Sequence, residues 1–501
     1  WGDPRFAFCG RCVACEEQVL AHDDVLGVAG LRMSQRKKLV AAGITTLEAL
    51  AKSDGAIDGM NDATLATLRA QAEAQLHTRT QPEGSAPFYR VDRPDALSVL
   101  PDSSPGDIFF DFEGDPMYEE NGVWNLDYLF GLVEADDTFV GFWAHTIAEE
   151  KSALEGFMQL VEQKQDEHPD MHIYHYAAYE KTHLLQLARR HGIYEDEVDD
   201  LVRRHVLVDL YPLVKRSIRV GAPSYSLKKI EKIYDPHAHT GDGVNTAADS
   251  IVEYNSYRDL VATGKNEEAA RKLKELEDYN REDCVSTRKL RDWLVGHRLG
   301  PATLVDDDPA DDNDASDDQE PVEAQLAALI EGVEHHDRTP NDHAVALAIA
   351  ALRYHRRERK SYWWEHFSRL SRTVDMWEDN KDVLMVDSVQ VETDWAPVAR
   401  SLKRTLRLRG RFAPGSTPRV GDQPFLIYDP PPFALANPAN PDPRVAHNKT
   451  TVTETFDDGM VVVERVGKND AHWVSVPLAS APATPPPTKD IQGRITEWAQ
   501  G

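Results

Sequence analysis

The stretch Asp107-Ile-Phe-Phe-Asp-Phe-Glu-Gly-Asp-Pro116 constrains the chain more than any other. Ile108, Phe109, Phe110 and Phe112 are β-formers and Gly114 with Pro116 stops the run, so it reads as a buried strand. Asp111 and Glu113 stand two residues apart, and on a strand both carboxylates leave the same face. Like charges side by side among aromatics are costly unless neutralised, and a hard divalent cation does that with oxygen ligands. The competing reading is an edge strand whose acids face water; the three phenylalanines around the pair favour metal-binding acids.

The 501 residues exceed one ordinary core and suggest about three domains. An apolar share of 41% supports globular structure, with no run long enough to span a bilayer and no secretory signal at the start. Acids outnumber bases 85 to 56, a net charge of -29, which excludes a uniformly basic nucleic-acid surface but not local patches or metal-mediated binding. Four cysteines, three of them crowded, do not make a disulfide scaffold, so a reducing cytoplasm is expected. A start at Trp1 points to a piece of a longer protein.

Cys9, Cys12 and Cys15 form a C-x2-C-x2-C run whose thiolates converge on one metal or iron–sulfur cluster, or else stand unliganded in a loop. Three ligands are one short of a closed site, and Cys284 sits beside a different motif. After Asp24–Leu31 a helix is expected to about Ala42, with Gly43 as C-cap and Thr45 with Glu48 as the capping box of the next helix. A further helix over 63–75 and a polar linker over 78–87 follow.

From Asp107 to His297 strands and helices alternate. Strands are expected at 126–133, 138–144, 172–176 and 206–210, with helices at 148–163, 179–191 and 273–295. Glu180 opens a helix, where the macrodipole favours an anion. Tyr279 and Asp283, four apart, share a helix face. Asp115 and Asp209 are secondary candidates, and His175 and His183 read as ordinary polar residues because hard cations prefer oxygen.

This ordered set, D-x-E in the first strand, an acid opening a middle helix and Y-x3-D in a late helix, resembles the DEDD exonucleases of ribonuclease-H fold. Within them it is similar to the YprB-like branch, over roughly Gly106 to His297, with Glu180 where most of the superfamily has Asp. The resemblance implies that Asp111, Glu113 and Asp283, completed by Glu180, hold two Mg2+ or Mn2+ ions, which act as a pair about 3.5–4 Å apart. It implies that Tyr279 orients the attacking water and that nucleotides leave from a 3′ end. The cysteine run resembles the end of RecB-like nucleases carrying a 4Fe-4S cluster, which would put the fourth ligand outside this chain. The two short helices around a Gly-containing turn resemble a helix-hairpin-helix module, whose amides grip a phosphate; a plain helical spacer is the other reading.

Val305–Glu320 is an Asp-rich linker. Helical periodicity returns over 322–367, where basic Arg353–Lys360 leads into Trp363 and Trp364. That mix either holds a phosphate backbone and stacks bases or is a solvated basic end on a Trp-capped core. Beyond Val383 the signals turn to β, and Thr405–Arg411 alternates leucine with arginine, a half-buried strand with a cationic outer face. Further strands are expected at 421–428 and 460–466, a Pro-rich loop at 429–443, a linker at 479–487 and a helix at 490–499. A small barrel here either suits single-stranded nucleic acid or is merely structural. The domain order resembles RecB-like nuclease–helicase fusions; no G-x4-G-K-[ST] occurs, so a helicase motor is expected downstream of Gly501.

The expected fold is multidomain α/β: a ribonuclease-H-like three-layer α/β core, an N-terminal helical hairpin module, and a C-terminal helical segment plus a small β-barrel-like domain. The boundaries are 1–22 for the cysteine-rich end, 23–80 for the hairpin module, 100–298 for the exonuclease domain and 299–321 for the linker. The helical segment follows at 322–374, the β-rich domain at 375–478 and a second linker at 479–501. The expected function is a metal-dependent 3′-5′ exonuclease module on single-stranded DNA ends, within a DNA-repair nuclease–helicase. The alternative is a catalytically weak scaffold that binds or guides single-stranded nucleic acid.

Overall fold

In a computed structural model, the structure describes residues 13–58, 60, 62–82, 84–177, 179–236, 247–302, 321–330, 333, 338–371, 377, 380–412, 415–429, 431–432, 435, 444–468, 472–485 and 488–500. Cys9, Cys12 and the acidic 305–320 segment lie outside the described residues. The chain divides into two compact units, 1–306 and 307–501.

Unit one opens with helices α1 (Val13–Ala21), α2 (Met33–Ala41), α3 (Leu47–Ala51) and α4 (Asp62–Arg79) around Val25, Leu39, Leu47, Leu50 and Leu65. Cys15, on α1, is a buried free thiol. Gly43 follows α2 at φ +82°, as a C-cap glycine should. The capping box, however, moves by one residue. Thr45 gives its carbonyl to Val25 N (2.9 Å), so Thr46 becomes the cap and its hydroxyl accepts from Ala49 N at 3.1 Å. Glu48 pairs with Lys52 on the surface instead. Helix α4 also runs through Arg79, into what read as linker.

Strand β1 (Tyr89–Val91) precedes the central sheet of β2 (Ile108–Glu120), β3 (Val123–Glu134), β4 (Phe139–Trp143), β5 (Ile173–His175) and β6 (Leu207–Asp209). Its order is β4-β3-β2-β5-β6; β2, β3 and β4 form an antiparallel meander, and β5 and β6 add in parallel. The connecting helices are α5 (Ile147–Glu167), α6 (Tyr179–His191) and α7 (Glu195–Arg203). Next come α8 (Leu210–Ser217), β7 (Ile218–Val220, paired with β1), α9 (Leu227–Ile230), α10 (Ala247–Ala262) and α11 (Asn266–His297).

Strand β2 does not stop at Gly114 and Pro116. It continues to Glu120 because register shifts after Glu113 and after Asp115 absorb both residues against β3. Both faces of β2 are covered. Phe110 and Phe112 pack with Phe130 and Phe157 of α5, while Phe109 on the opposite face stacks on Tyr174 at 5.3 Å and meets Leu290 and Leu294 of α11. Alternation therefore turns Asp111 and Glu113 toward α11. A buried ion pair, Arg291 Nη1 to Asp107 Oδ2 at 2.5 Å, ties that helix to the start of β2.

Unit two has α12 (Pro321–Leu329) and α13 (Pro340–Ser371), then β8 (Leu384–Val398), β9 (Ser401–Phe412), β10 (Phe425–Tyr428) and β11 (Val445–His447). It ends with β12 (Thr450–Phe456), β13 (Gly459–Gly467), β14 (Ala479–Ala481) and α14 (Lys489–Ala499). The antiparallel sheet runs β11-β10-β14-β8-β9-β13-β12. Its two end strands are joined only by Asn448 and Lys449, a reach of about 11 Å. A flat sheet of this width would span about 29 Å, so it must curl until its edges are neighbours, which is the barrel-like form.

Two expectations change here. Residues 479–481 are not linker; their small side chains make a buried strand between β10 and β8. The cationic face of β9 is neutralised, because Arg407 bonds Glu392 and Glu454 and Arg409 bonds Asp458 from the flanking strands. Inside the sheet, Arg404 is buried, with Nε at 2.8 Å from Glu464 Oε2 and with the Tyr428 hydroxyl also on Glu464. Among the described residues no helix is long and apolar enough to cross a membrane. Arg404→Ala leaves Glu464 buried without its cation and should cost about 3–5 kcal/mol. The readout is lost hydrogen-exchange protection across β9 and β13, with α11 unaffected.

Candidate active site

Three carboxylates from two distant stretches meet where β2 faces α11. One oxygen each from Asp111, Glu113 and Asp283 lies within 4.8 Å of the others. Glu113 and Asp283 are largely buried, and Asp111 keeps one edge open. Glu180, buried in the first turn of α6, reaches Asp111 by a side-chain hydrogen bond. Tyr279 stands one turn before Asp283 on α11 and hydrogen-bonds it. All five residues singled out by sequence are thus in one place.

Other side chains hold this group in position. Asn280 Nδ2 donates to Asp111 Oδ2 at 3.1 Å, and Ser250 of α10 donates to Glu113 Oε2 at 2.8 Å. His175 Nδ1 lies 3.1 Å from Glu180 Oε2 and 2.7 Å from the Ala177 carbonyl. Lys228, on α9, donates to the Tyr279 hydroxyl, has Nζ 3.9 Å from that ring's centre, and lies 3.8 Å from Asp283 Oδ2. Asn280 had a signal in the sequence, since it adjoins Tyr279 and precedes Asp283 by three on the helix. Ser250 and Lys228 had none, because neither α10 nor α9 was predicted.

Asp115 and Asp209 serve the backbone and side-chain scaffold. Asp115 accepts from Met117 N and Asn255 Nδ2, while Asp209 caps α8 through Tyr211 N and also holds Ala177 N. His183 is engaged by Asp127 at 2.8 Å. Cys284 gives its S–H to the Gly131 carbonyl at 3.4 Å, and burial pushes its pKa well up, so it stays a thiol. Gly131, opposite Asp111 in the ladder, is required by close approach. A Cβ there would come 1.5 Å from Asn280 Oδ1.

The acids repel one another. Burial, then Glu113, Asp283 and Glu180, raises Asp111 well above the usual carboxylate range. Burial raises Glu113 to about 8, with the Ser250 hydroxyl pulling the other way. Burial and Asp283 push the Tyr279 phenol upward as well. Convergent oxygen donors whose ionisation is held back by desolvation and like charge fit a hard divalent cation such as Mg2+ or Mn2+.

Residues 108–295 match the family model described as RNase_H superfamily. No curated protein and no solved structure matches the chain significantly. The matched region contains the whole acidic group, so this domain combines a nuclease-type scaffold with an acidic triad able to hold metal.

Two outcomes follow for the protein in EDTA. The folded pKa of Glu113, about 8, exceeds its unfolded value of 4.5, so folding is favoured by protonation. Thermal stability should therefore fall as pH rises from about 5 to about 8, and Mn2+ should restore it at the upper end. Gly131→Ala should cost about 1–3 kcal/mol by overpacking and weaken that Mn2+ shift. A Tm that is flat with pH and indifferent to Mn2+ would count against a metal site.

Proposed function

We propose that residues 108–295 form a metal-dependent exonuclease domain that releases nucleotides from the 3′ end of a single-stranded nucleic acid, with DNA as the substrate. The observation that carries this reading is the convergence of Asp111, Glu113 and Asp283 beside Tyr279 within a region matching the RNase_H superfamily. When bound, a pair of divalent ions activates water and stabilises the leaving oxygen of a phosphodiester. Asp111, Glu113 and Asp283 supply the oxygens that would hold them, and Glu180 supports the set through Asp111.

Tyr279 remains a neutral phenol, because burial and Asp283 oppose its ionisation. Its hydroxyl sits between the Lys228 ammonium and Asp283, where it can hold a water beside the carboxylates. Asn280 and Ser250 fix the carboxylate rotamers through hydrogen bonds, which removes reorganisation at the moment of reaction. The 3′-5′ direction, the DNA substrate and a place in a nuclease–helicase rest on the order of the motifs and domains along the chain.

The test is hydrolysis of 5′-labelled single-stranded oligonucleotides with Mg2+ or Mn2+. The wild type should give a descending ladder from the 3′ end. Asp111→Ala and Asp283→Ala should abolish it while retaining binding, and Tyr279→Phe should slow it by about 10²-fold or more. Cleavage that survives EDTA, or that persists in both Asp variants, would refute the assignment.

A further inference from the structure

The N-terminal helices are fixed to the sheet domain by a chain of buried polar contacts. Gln75 Nε2 donates to the Gly27 carbonyl and Gln75 Oε1 accepts from Ala29 N, both at 2.9 Å. Gln71 Nε2 bridges Gln75 Oε1 at 3.3 Å and the Val220 carbonyl at 2.8 Å, and the Tyr225 hydroxyl donates to Gln71 Oε1 at 2.9 Å. At Gly221 the two parts approach so closely that a Cβ would lie 2.4 Å from the Ala74 carbonyl oxygen. The turn Gly27–Gly30 is therefore held at a set place relative to β7 and the segment leading to α9.

Along that edge two half-buried lysines lie between the turn and the acids. Lys215 Nζ would be 3.9 Å from a Cβ on the exposed Gly30, and it rests 4.8 Å from the Tyr225 ring centre. Three residues beyond Tyr225, Lys228 rests on Tyr279 beside Asp283. Exposed Ser224 and Ser226 hydroxyls, 3.1 Å apart, lie between them in the chain. In a protein of net charge -29, two ammonium groups packed on tyrosine faces in line with an acidic centre suit a polyanion.

We infer that the Gly27–Gly30 turn, Lys215, Ser224, Ser226 and Lys228 form a track for the phosphate backbone of a single strand leading into the acidic site. This rests on the nuclease reading above and adds to it a minimum substrate length. Lys228 contacts the phosphate nearest the site, and Lys215 with the glycine turn contacts phosphates further back. The contacts sum to a path on the order of 20 Å, or about six nucleotides of stacked strand at about 3.4 Å each.

The experiment is fluorescence anisotropy in EDTA with labelled single strands of about three and about twelve nucleotides, using the full chain. Lys215→Gln should weaken the longer strand by about 3–10-fold and reduce its log-log salt slope by about 0.7. It should leave the shorter strand unchanged, and Lys215→Arg should behave as wild type. Equal loss on both lengths, or no loss on the longer, overturns the track. Hydrolysis of the three-nucleotide strand with Mn2+ reads the nuclease assignment separately. If that fails while the length-selective binding loss persists, the nuclease reading falls and the track stands.

Discussion

The site depends on one unfavourable act: gathering carboxylates where water cannot fully solvate them. Asp111 and Glu113 gain their shared direction from the two-residue repeat of β2 and their burial from Phe109 and α11 behind them. Asp283 arrives on a 32-residue helix whose angle is set elsewhere, by Arg291 on Asp107. Those two positions are about 12 Å along the helix from Asp283, so the ion pair works as a distant anchor. The guanidinium is also packed 4.7 Å from the centres of both Phe109 and Tyr174, which leaves it little freedom to let the helix slide. Burying that pair is not itself a source of large stability. Its value lies in fixing where the acid on the next turns must stand.

Glu180 shows how an extra methylene is accommodated. The loop before α6 contains Ala177 at φ +76°, a left-handed conformation that an alanine adopts only under constraint. Both its backbone polar groups are taken: the amide goes to Asp209 Oδ1 at 2.9 Å, and the carbonyl lies 2.7 Å from His175 Nδ1. That same ring nitrogen contacts Glu180. Asp209, a residue with no direct place among the acids, thus acts on them through the backbone. The longer side chain reaches Asp111 because the loop, and not the strand, sets the starting point.

What could be seen in the sequence follows from range. Period-two and period-four spacings gave β2, α6 and α11 and the face that each acid occupies, since these are decided within a few residues. The ordered motifs then pointed to one site, because the resemblance supplied the long-range step that spacing lacks. Partners that arrive from weakly patterned segments were invisible: Ser250 lies on α10, whose apolar residues show no single stripe, and Lys228 on a four-residue helix. The end of β2 was misjudged for the same reason. Gly114 and Pro116 stop an isolated strand, but a bulged partner strand can carry the chain past them. Ala479–Ala481 reads as linker by composition, yet it fills a narrow slot between two strands that only the assembled sheet creates.

Charge behaves in the same way. Along β9 the alternating arginines look like a cationic platform, but the neighbouring strands answer them with Glu392, Glu454 and Asp458. Ion pairs of this exposed kind contribute little to stability, and their main consequence is to cancel the field that a phosphate backbone would feel. Lys215 and Lys228 differ because aromatic faces hold them. A ring's quadrupole attracts an ammonium without cancelling its charge. The strand with the more basic sequence therefore makes the weaker case for binding a polyanion, and the two lysines scattered through an acidic chain make the stronger one.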